Sequence, residues 1–473
     1  MIWKSMLRNF SALLTGEIIS KILGFSTMVY LARVISVESY GKLGFVMAVY
    51  SYFAQLANPG FDTVGIREVA RSTLPLSTLI NSLFSLRLLF SAGAFLLLLL
   101  FSVLAGLDGE TQTLLLIQGL ALLAVSFQLN YVFRGKEQMI QVALSRIVQS
   151  VSYLVLIVLF VRGDRELLLV PGMLLISTLL GLLPLYVLFR KGGGGFRLTF
   201  SAETQRRLLS AALPLGLSGL MIQVYYNLDS VLLGFLKGAR EVGLYTASYK
   251  IVLLLTIVPN LLLSSFLPAL SRQDEGQHPA LREYVRTMII LGIPVGFVGY
   301  FAAEAILTTM FGSSYAGAAT ALQILLFNVS FVFVSMAFAN PLIAWDKNKV
   351  YLKVVSFGAA ANVVLNLILI PPFGIVGAAI ATLCSEGVVA IQAYRELRRI
   401  VDLSVTYDAI LLLASSIGAF ALSFASHALF AMNDLAAAAM VLTLYGGIWV
   451  FFRNSLAAKV LKRWRVGEII DVS

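Results

Sequence analysis

Charge is scarce in this sequence. Of 473 residues only 12% are Asp, Glu, Lys or Arg, where an ordinary soluble domain carries about one quarter. Cysteine is scarcer still: Cys384 stands alone, which excludes an intrachain disulfide and any Cys-based metal cluster. The two histidines, His278 and His427, lie far apart in the chain. Alternating apolar and polar stretches of about ten residues, the pattern of an outer-membrane barrel strand, are missing. No stretch has the composition of a soluble domain, and no loop carries a DxD-type carboxylate pair. The N-terminus, MIWKSMLRNF, has a basic start before an apolar run but no small-residue cleavage site, so it reads as the entry to a retained first helix.

Hydrophobic residues make up 59% of the chain, and the mean hydropathy is +0.90. Apolar runs long enough to cross about 30 Å of hydrocarbon as helices recur along almost its whole length. The expectation is an all-α membrane protein of fourteen spans, at 9–34, 39–59, 78–105, 112–133, 139–161, 167–189, 208–236, 242–270, 283–303, 316–340, 350–370, 373–394, 405–427 and 434–452. Pro259, Pro294 and the Pro371-Pro372 pair sit where kinks or ends belong. With the N-terminus in the cytoplasm, the inner connections hold 25 of the 35 Lys and Arg residues and the outer ends six. The remaining four, Lys21, Arg87, Arg146 and Lys250, fall inside spans. That asymmetry obeys the positive-inside rule and puts both termini in the cytoplasm of a multi-pass cell-membrane protein. The net charge of +11 is then mostly a topological signal facing anionic lipids, not a nucleic-acid footprint.

Four consecutive glycines in FRKGGGGFRLTF cannot support a helix and predict a flexible cytoplasmic hinge at 192–204. The hinge lacks the Gly-Lys-Ser/Thr ending of a nucleotide-binding loop. It separates an N-lobe at 1–191, with six spans, from a C-lobe at 205–400, with six more; spans 13 and 14 and a basic cytoplasmic tail occupy 401–473. The lobes read as repeats. ESYGKLGFVMAVYSYFAQLANPG parallels AREVGLYTASYKIVLLLTIVPN, with Gly41 and Gly243 in matching places. FQLNYVFRGKEQMIQV parallels FANPLIAWDKNKVYLKV, with Asn130 and Asn340 before the inner turns. Internal repeats in a membrane protein point to a transporter whose lobes rock around a central site.

The arrangement of six spans, a glycine hinge, six spans and two more resembles the polysaccharide-type flippases of the multidrug/oligosaccharidyl-lipid/polysaccharide exporter superfamily. GFSTMVYLARVISVESYGKLGFVMAVYSYF, FRGKEQ and PPFGIVGAAIATLCSEGV carry the likeness locally, above all the run Gly374, Gly377, Ala378, Ala379 and Ala381. The resemblance implies flipping of a lipid-linked oligosaccharide from the inner to the outer leaflet by alternating access. Its partners would be that glycan, membrane lipids and a glycan polymerase or ligase, with no nucleic acid.

The charged groups within spans are the candidate site. Glu17 and Lys21 stand i and i+4 on one face of the first span, about 13 to 20 Å deep. A charge facing lipid there costs at least about 2.5 kcal/mol, so the two form either a structural ion pair or part of a wet cavity. Arg87 and Arg146 lie about eight or nine residues into spans 3 and 5, with no carboxylate within a turn on their own helices. Arg146 continues into a polar stripe through Gln149, Ser150 and Tyr153. Three cations in one lobe suggest an anion site, and arginine forks suit a pyrophosphate. In the second lobe Lys250, Tyr226 and Asn227 are candidate substrate ligands, the last two suiting sugars or, alternatively, interfacial anchoring and helix–helix hydrogen bonds. Glu17, Asp229 and Glu386 are candidates for coupling to H+ or Na+. No catalytic residue, metal site or organic cofactor is expected. Gly292, Gly296 and Gly299 around Pro294 read as packing and kinking, His427 as a solvated outer-turn residue, and KVLKRWRVGE as an inner-surface anchor.

A multidrug exporter of the same superfamily is the nearest alternative, but such proteins favour organic cations and acidic cavities. A membrane glycan polymerase or glycosyltransferase would need a sizeable outer loop or paired carboxylates. Even the outer connection EAILTTMFGSSYAG carries a single acid.

Overall fold

The computed structural model describes residues 2–271, 279–401, 406–430 and 433–454. Every regular element among them is helical, as hydrocarbon requires of a chain that must satisfy its own backbone N–H and C=O groups. The basic tail and His278 lie outside the described residues. Contacts group the chain into two compact units, Met1–Ala247 and Ser248–Ser473.

The first unit contains α1 (Ile2–Val34), α2 (Val37–Ala57), α3 (Phe61–Arg71), α4 (Leu76–Leu104), α5 (Gly109–Val125), α6 (Asn130–Gly135), α7 (Met139–Phe160), α8 (Leu169–Lys191) and α9 (Ala202–Lys237). The unit boundary falls inside α10 (Ala239–Leu255). It therefore lies beyond the glycine run, because α9 packs along α2, α3 and α4. The second unit continues with α11 (Ile257–Leu270), α12 (Pro279–Phe311), α13 (Ala319–Ala344), α14 (Asn348–Arg398), α15 (Thr406–Phe430) and α16 (Asp434–Asn454).

Nine helical stretches among the described residues are long and apolar enough to cross a membrane. One of them, α14, joins two helices across a break at Gly374, whose φ of 53° and ψ of −130° are open only to glycine. Gly358 meets Val389 and the Asn362 amide donates to Ser385 Oγ at 3.2 Å, so the halves run antiparallel. Pro371 and Pro372 precede the break. The apolar windows in α15 and α16 are shorter, at Ser415–Leu429 and Asp434–Gly447.

Close crossings are built on glycine. A Cβ on Gly41 would stand 1.7 Å from the Ala239 carbonyl oxygen, and one on Gly243 would stand 2.1 Å from that of Val37. Each glycine thus meets the residue four positions before the other, so the crossing of α2 and α10 is reciprocal. Similarly, Gly16 lets α1 approach Ala143 of α7, and the Ser145 hydroxyl donates to Gly181 O at 2.5 Å to close α7 on α8.

The segment after the glycines is fastened. Arg197 N–H donates to Asn81 Oδ1 and Thr199 N–H to Ser85 Oγ, both at 2.9 Å, on α4. Phe196 sits 4.8 Å from the ring of Phe84, with Phe127, Phe189 and Tyr186 around it. Conformational freedom from glycine is limited to the turn at Gly193, with φ of 77°. The flank predicted as flexible is an extended strap, because aromatic burial and two side-chain acceptors compensate its unpaired backbone donors.

Candidate functional site

The candidate residues of the first unit fall in three places. The first lies on α1 and α7. Glu17 pairs with Lys21 at 3.3 Å one helical turn away, and with Arg146 of α7 at 3.7 Å. The Gly16–Ala143 approach brings the two helices close enough for the second pair. The side chains of Glu17, Lys21 and Arg146 are 43%, 46% and 35% exposed. Charges exposed to that degree are costly to place against hydrocarbon. Two cations share one carboxylate, and the cluster carries one uncompensated positive charge. It can hold an anion by a point charge from Lys21 and a donor fork from Arg146.

The expected polar stripe on α7 is partly used in packing. Gln149 donates to Thr178 of α8 at 3.1 Å, and Tyr153 is buried. Arg146 is the member of that stripe left toward α1.

Arg87 belongs to a second place. Its side chain is 1% exposed, and Nη2 donates to Asp62 Oδ1 at 2.7 Å. Nη1 donates to the Gln128 carbonyl at 2.9 Å, and the guanidinium lies 4.6 Å from the centre of the Tyr131 ring. Asn58 Nδ2 donates to the other Asp62 oxygen at 2.7 Å. Arg87 therefore fastens the α2–α3 turn and the α5–α6 turn to α4. Sequence reasoning required a partner from another element for Arg87 but missed Asp62. The signal was the isolated acid in ANPGFDTVG, just past the expected end of span 2.

Asp229 occupies the third place. It is buried, accepts the Tyr245 O–H of α10, and accepts the Ser230 N–H at 2.8 Å. Around it on α9, Asn227 Nδ2 donates to Gln223 Oε1 at 2.9 Å. Tyr226 is half-exposed, its ring edge-on to Tyr225 at 5.4 Å. Asn227 thus spends one amide hydrogen within its own helix.

In the second unit Lys250 is half-buried on α10 and makes no ion pair among the described residues. Glu386 is buried on α14 and accepts the Ser335 hydroxyl of α13. Beside it runs a polar ladder that sequence reasoning missed: Asn366 donates to Asn362 at 3.0 Å, and Asn362 to Ser385. The i, i+4 asparagines in ANVVLNLILI were its only sequence signal. Among the described residues no three His, Cys, Asp or Glu side chains gather in a group able to hold a metal ion. Gly292, Gly296 and Gly299 of α12 pack on Phe333, Phe327 and Leu326 of α13, as packing glycines should. His427 is bound to Asp434 at 2.8 Å, not simply solvated.

Comparison with known proteins places this geometry. The protein named "Probable flippase AglR" of Haloferax volcanii is 28% identical over 186 residues, 38% of this chain and 39% of that protein. The matched part of the chain thus spans about two fifths of AglR. The capsular polysaccharide biosynthesis protein CapF of Staphylococcus aureus is 20% identical over 404 residues, 84% of this chain and all of CapF. Among solved structures, the lipid II flippase MurJ in an inward closed conformation superposes with a TM-score of 0.77 at 14% identity, over 93% of this chain and 99% of its own. The chain therefore has the MurJ-type helical fold. The model of the family described as "Polysaccharide biosynthesis protein" matches residues 6–274, more than half of the sequence, and the chain belongs to that family.

Proposed function

We propose that the protein flips a lipid-linked, polyprenyl-pyrophosphate oligosaccharide from the inner to the outer leaflet of the cell membrane by alternating access, feeding a glycan polymerase or ligase. The observation that carries this reading is the α1–α7 cluster, in which Lys21 and Arg146 share Glu17 and stay partly exposed. A pyrophosphate supplies the negative charge the cluster lacks, and charge-assisted hydrogen bonds to phosphate are among the strongest available. Lys250 of the second unit is a further proposed substrate ligand, and Tyr226 and Asn227 are proposed ligands for sugars. Arg87, committed to Asp62, serves as a strut between α4 and the α2–α3 and α5–α6 turns.

Fourteen spans in two six-helix lobes plus two C-terminal helices, with both termini cytoplasmic, complete the reading. Transport against a gradient needs a second free-energy source. Asp229 and Glu386, carboxylates buried within spans, are the proposed sites of H+ or Na+ coupling, with Glu17 a third. Family membership and the MurJ-type fold support transport over catalysis.

The test uses proteoliposomes loaded with a short-glycan polyprenyl pyrophosphate, following headgroup movement between leaflets. Intact protein is expected to accelerate movement, and Lys21→Ala and Arg146→Ala to slow it about tenfold or more with folding unchanged. Movement unaffected by either substitution would remove the anion site. Ion-driven export of organic cations without headgroup movement would replace the flippase by the drug exporter.

A further inference from the structure

Outside the polar clusters, the second unit carries a groove of about 720 Å³ between α13 and the end of α14. Its walls are apolar: Phe331, Val334 and Phe338 from one helix, Ile391 and Tyr394 from the other. Phe338 and Tyr394 close its floor with rings 5.2 Å apart, while Phe331 and Ile391 are 41% and 54% exposed. The i, i+3, i+7 spacing puts each wall on one helix face. At one end the apolar walls give way to Arg395, Arg398 and Arg399.

The nearby carboxylate is already taken. Glu396 binds Lys353 at 3.2 Å and Arg399 at 3.0 Å. Arg395 and Arg398 make no ion pair among the described residues and are exposed, one helical turn beyond Tyr394 and Ile391. An apolar slot between membrane-type helices, ending in two guanidinium forks that make no ion pair among the described residues, has the chemistry of a phospholipid site. Acyl chain meets the rings, and the phosphate meets the forks. The volume is that of an ordinary small-molecule pocket.

We infer that this groove binds one membrane phospholipid with an anionic headgroup, its chain along Phe331, Phe338 and Ile391 and its phosphate held by Arg395 and Arg398. The site is separate from the α1–α7 cluster, so it stands or falls independently of the flippase reading.

Native mass spectrometry of the full chain, purified in detergent and doped with phosphatidylglycerol or phosphatidylcholine, tests it. Wild type is expected to retain one phosphatidylglycerol in preference to phosphatidylcholine. R395Q/R398Q should retain it about tenfold less. I391W, which fills the slot from its exposed wall and leaves both arginines, should lose it too. K347Q/K349Q, which removes two exposed cations outside the groove, should behave as wild type. Equal loss in K347Q/K349Q, or none in R395Q/R398Q, would overturn the site. Displacement by millimolar glycerol phosphate alone would reduce it to a simple anion contact, and a dimer without bound lipid would make the groove a contact between copies; either overturns the inference.

Discussion

Arg87 is the most buried cation in the described chain, and its surroundings explain how it is tolerated. Asp62 neutralises it, a backbone carbonyl takes a second hydrogen bond, and Tyr131 covers its face. Removing one member of such a set leaves the other uncompensated, at a cost of about 3 kcal/mol. Arg87→Ala is therefore expected to lower the thermal unfolding midpoint in detergent sharply. Asp62→Asn should do comparable harm, since it leaves the Arg87 guanidinium, only 1% exposed, charged and without a counter-charge that water could replace. The double variant R87M/D62N should recover at least half the loss, because no charge is then buried alone; equal or greater damage in the double variant would contradict the strut. Lys21 and Arg146 should behave oppositely, losing transport and keeping stability. The sequence marked all three as cations in spans and Glu17 as one turn from Lys21, but the partners of Arg87, 25 positions upstream, and of Arg146, on α1, were illegible. The α2–α3 turn that carries Asp62 back to α4 has no signature of its own beyond Asn58-Pro59-Gly60.

Individual elements are held by local devices of modest strength. At the start of α2, the Ser36 N–H donates to Asp164 Oδ1 at 2.8 Å, tying the α1–α2 turn to the α7–α8 connection. Burial pushes the Asp164 carboxyl up, but hydrogen bonds from the Ser36 backbone and from the Ser39 and Ser36 side chains outweigh it and hold it below the usual carboxylate range. A depressed folded-state pKa contributes stability that is fully present above the unfolded value of about 3.9 and is lost as pH falls through the folded value. Protection of the Ser36 amide, normalised for intrinsic exchange, should therefore be flat from pH 5 to 8 and fall only below about pH 4. Asp164→Asn should flatten that dependence at a few tenths of a kcal/mol lower protection, the screened worth of an exposed helix-terminal contact.

The α2–α10 crossing is stiffer. Gly41→Ala and Gly243→Ala each place a methyl against a carbonyl oxygen, and each should cost about 1 to 3 kcal/mol. Both force apart the same two helices, so the double variant should cost less than the two singles together; strict additivity in a double-mutant cycle would show that the glycines act independently. The sequence singled out both glycines. That they face each other was not legible, since a one-dimensional pattern does not say which helices cross.

At the scale of the molecule the distribution of basic residues makes a topological prediction. In a C384S background, cysteine at Arg162 should react with an impermeant maleimide in intact cells, while cysteine at Lys349 should react only after permeabilisation. Labelling of both sites from outside would refute the orientation with cytoplasmic termini. That the chain is helical with many apolar stretches was legible because each crossing needs its own apolar run. The division into compact units was not. A run of four glycines looks like the natural place to cut the chain, yet α9 packs back on α2 through Gly216, Gly219 and Gly234, which meet Pro59, Gln55 and Phe45. Phe196 likewise folds the post-glycine segment onto α4.

What the sequence determined by itself is the helical, multi-span architecture, the expected orientation and the short set of charges that cannot face lipid. These follow from one-dimensional facts, because the bilayer acts as a solvent that tests each segment separately for length, polarity and backbone satisfaction. Only the tertiary structure decided which carboxylate answers a cation distant in sequence: Glu17 for Arg146, Asp62 for Arg87, Glu396 for Lys353. Charge pairing depends on distances of a few ångströms between side chains tens of positions apart in the chain. Those distances are set by helix crossings at single glycines.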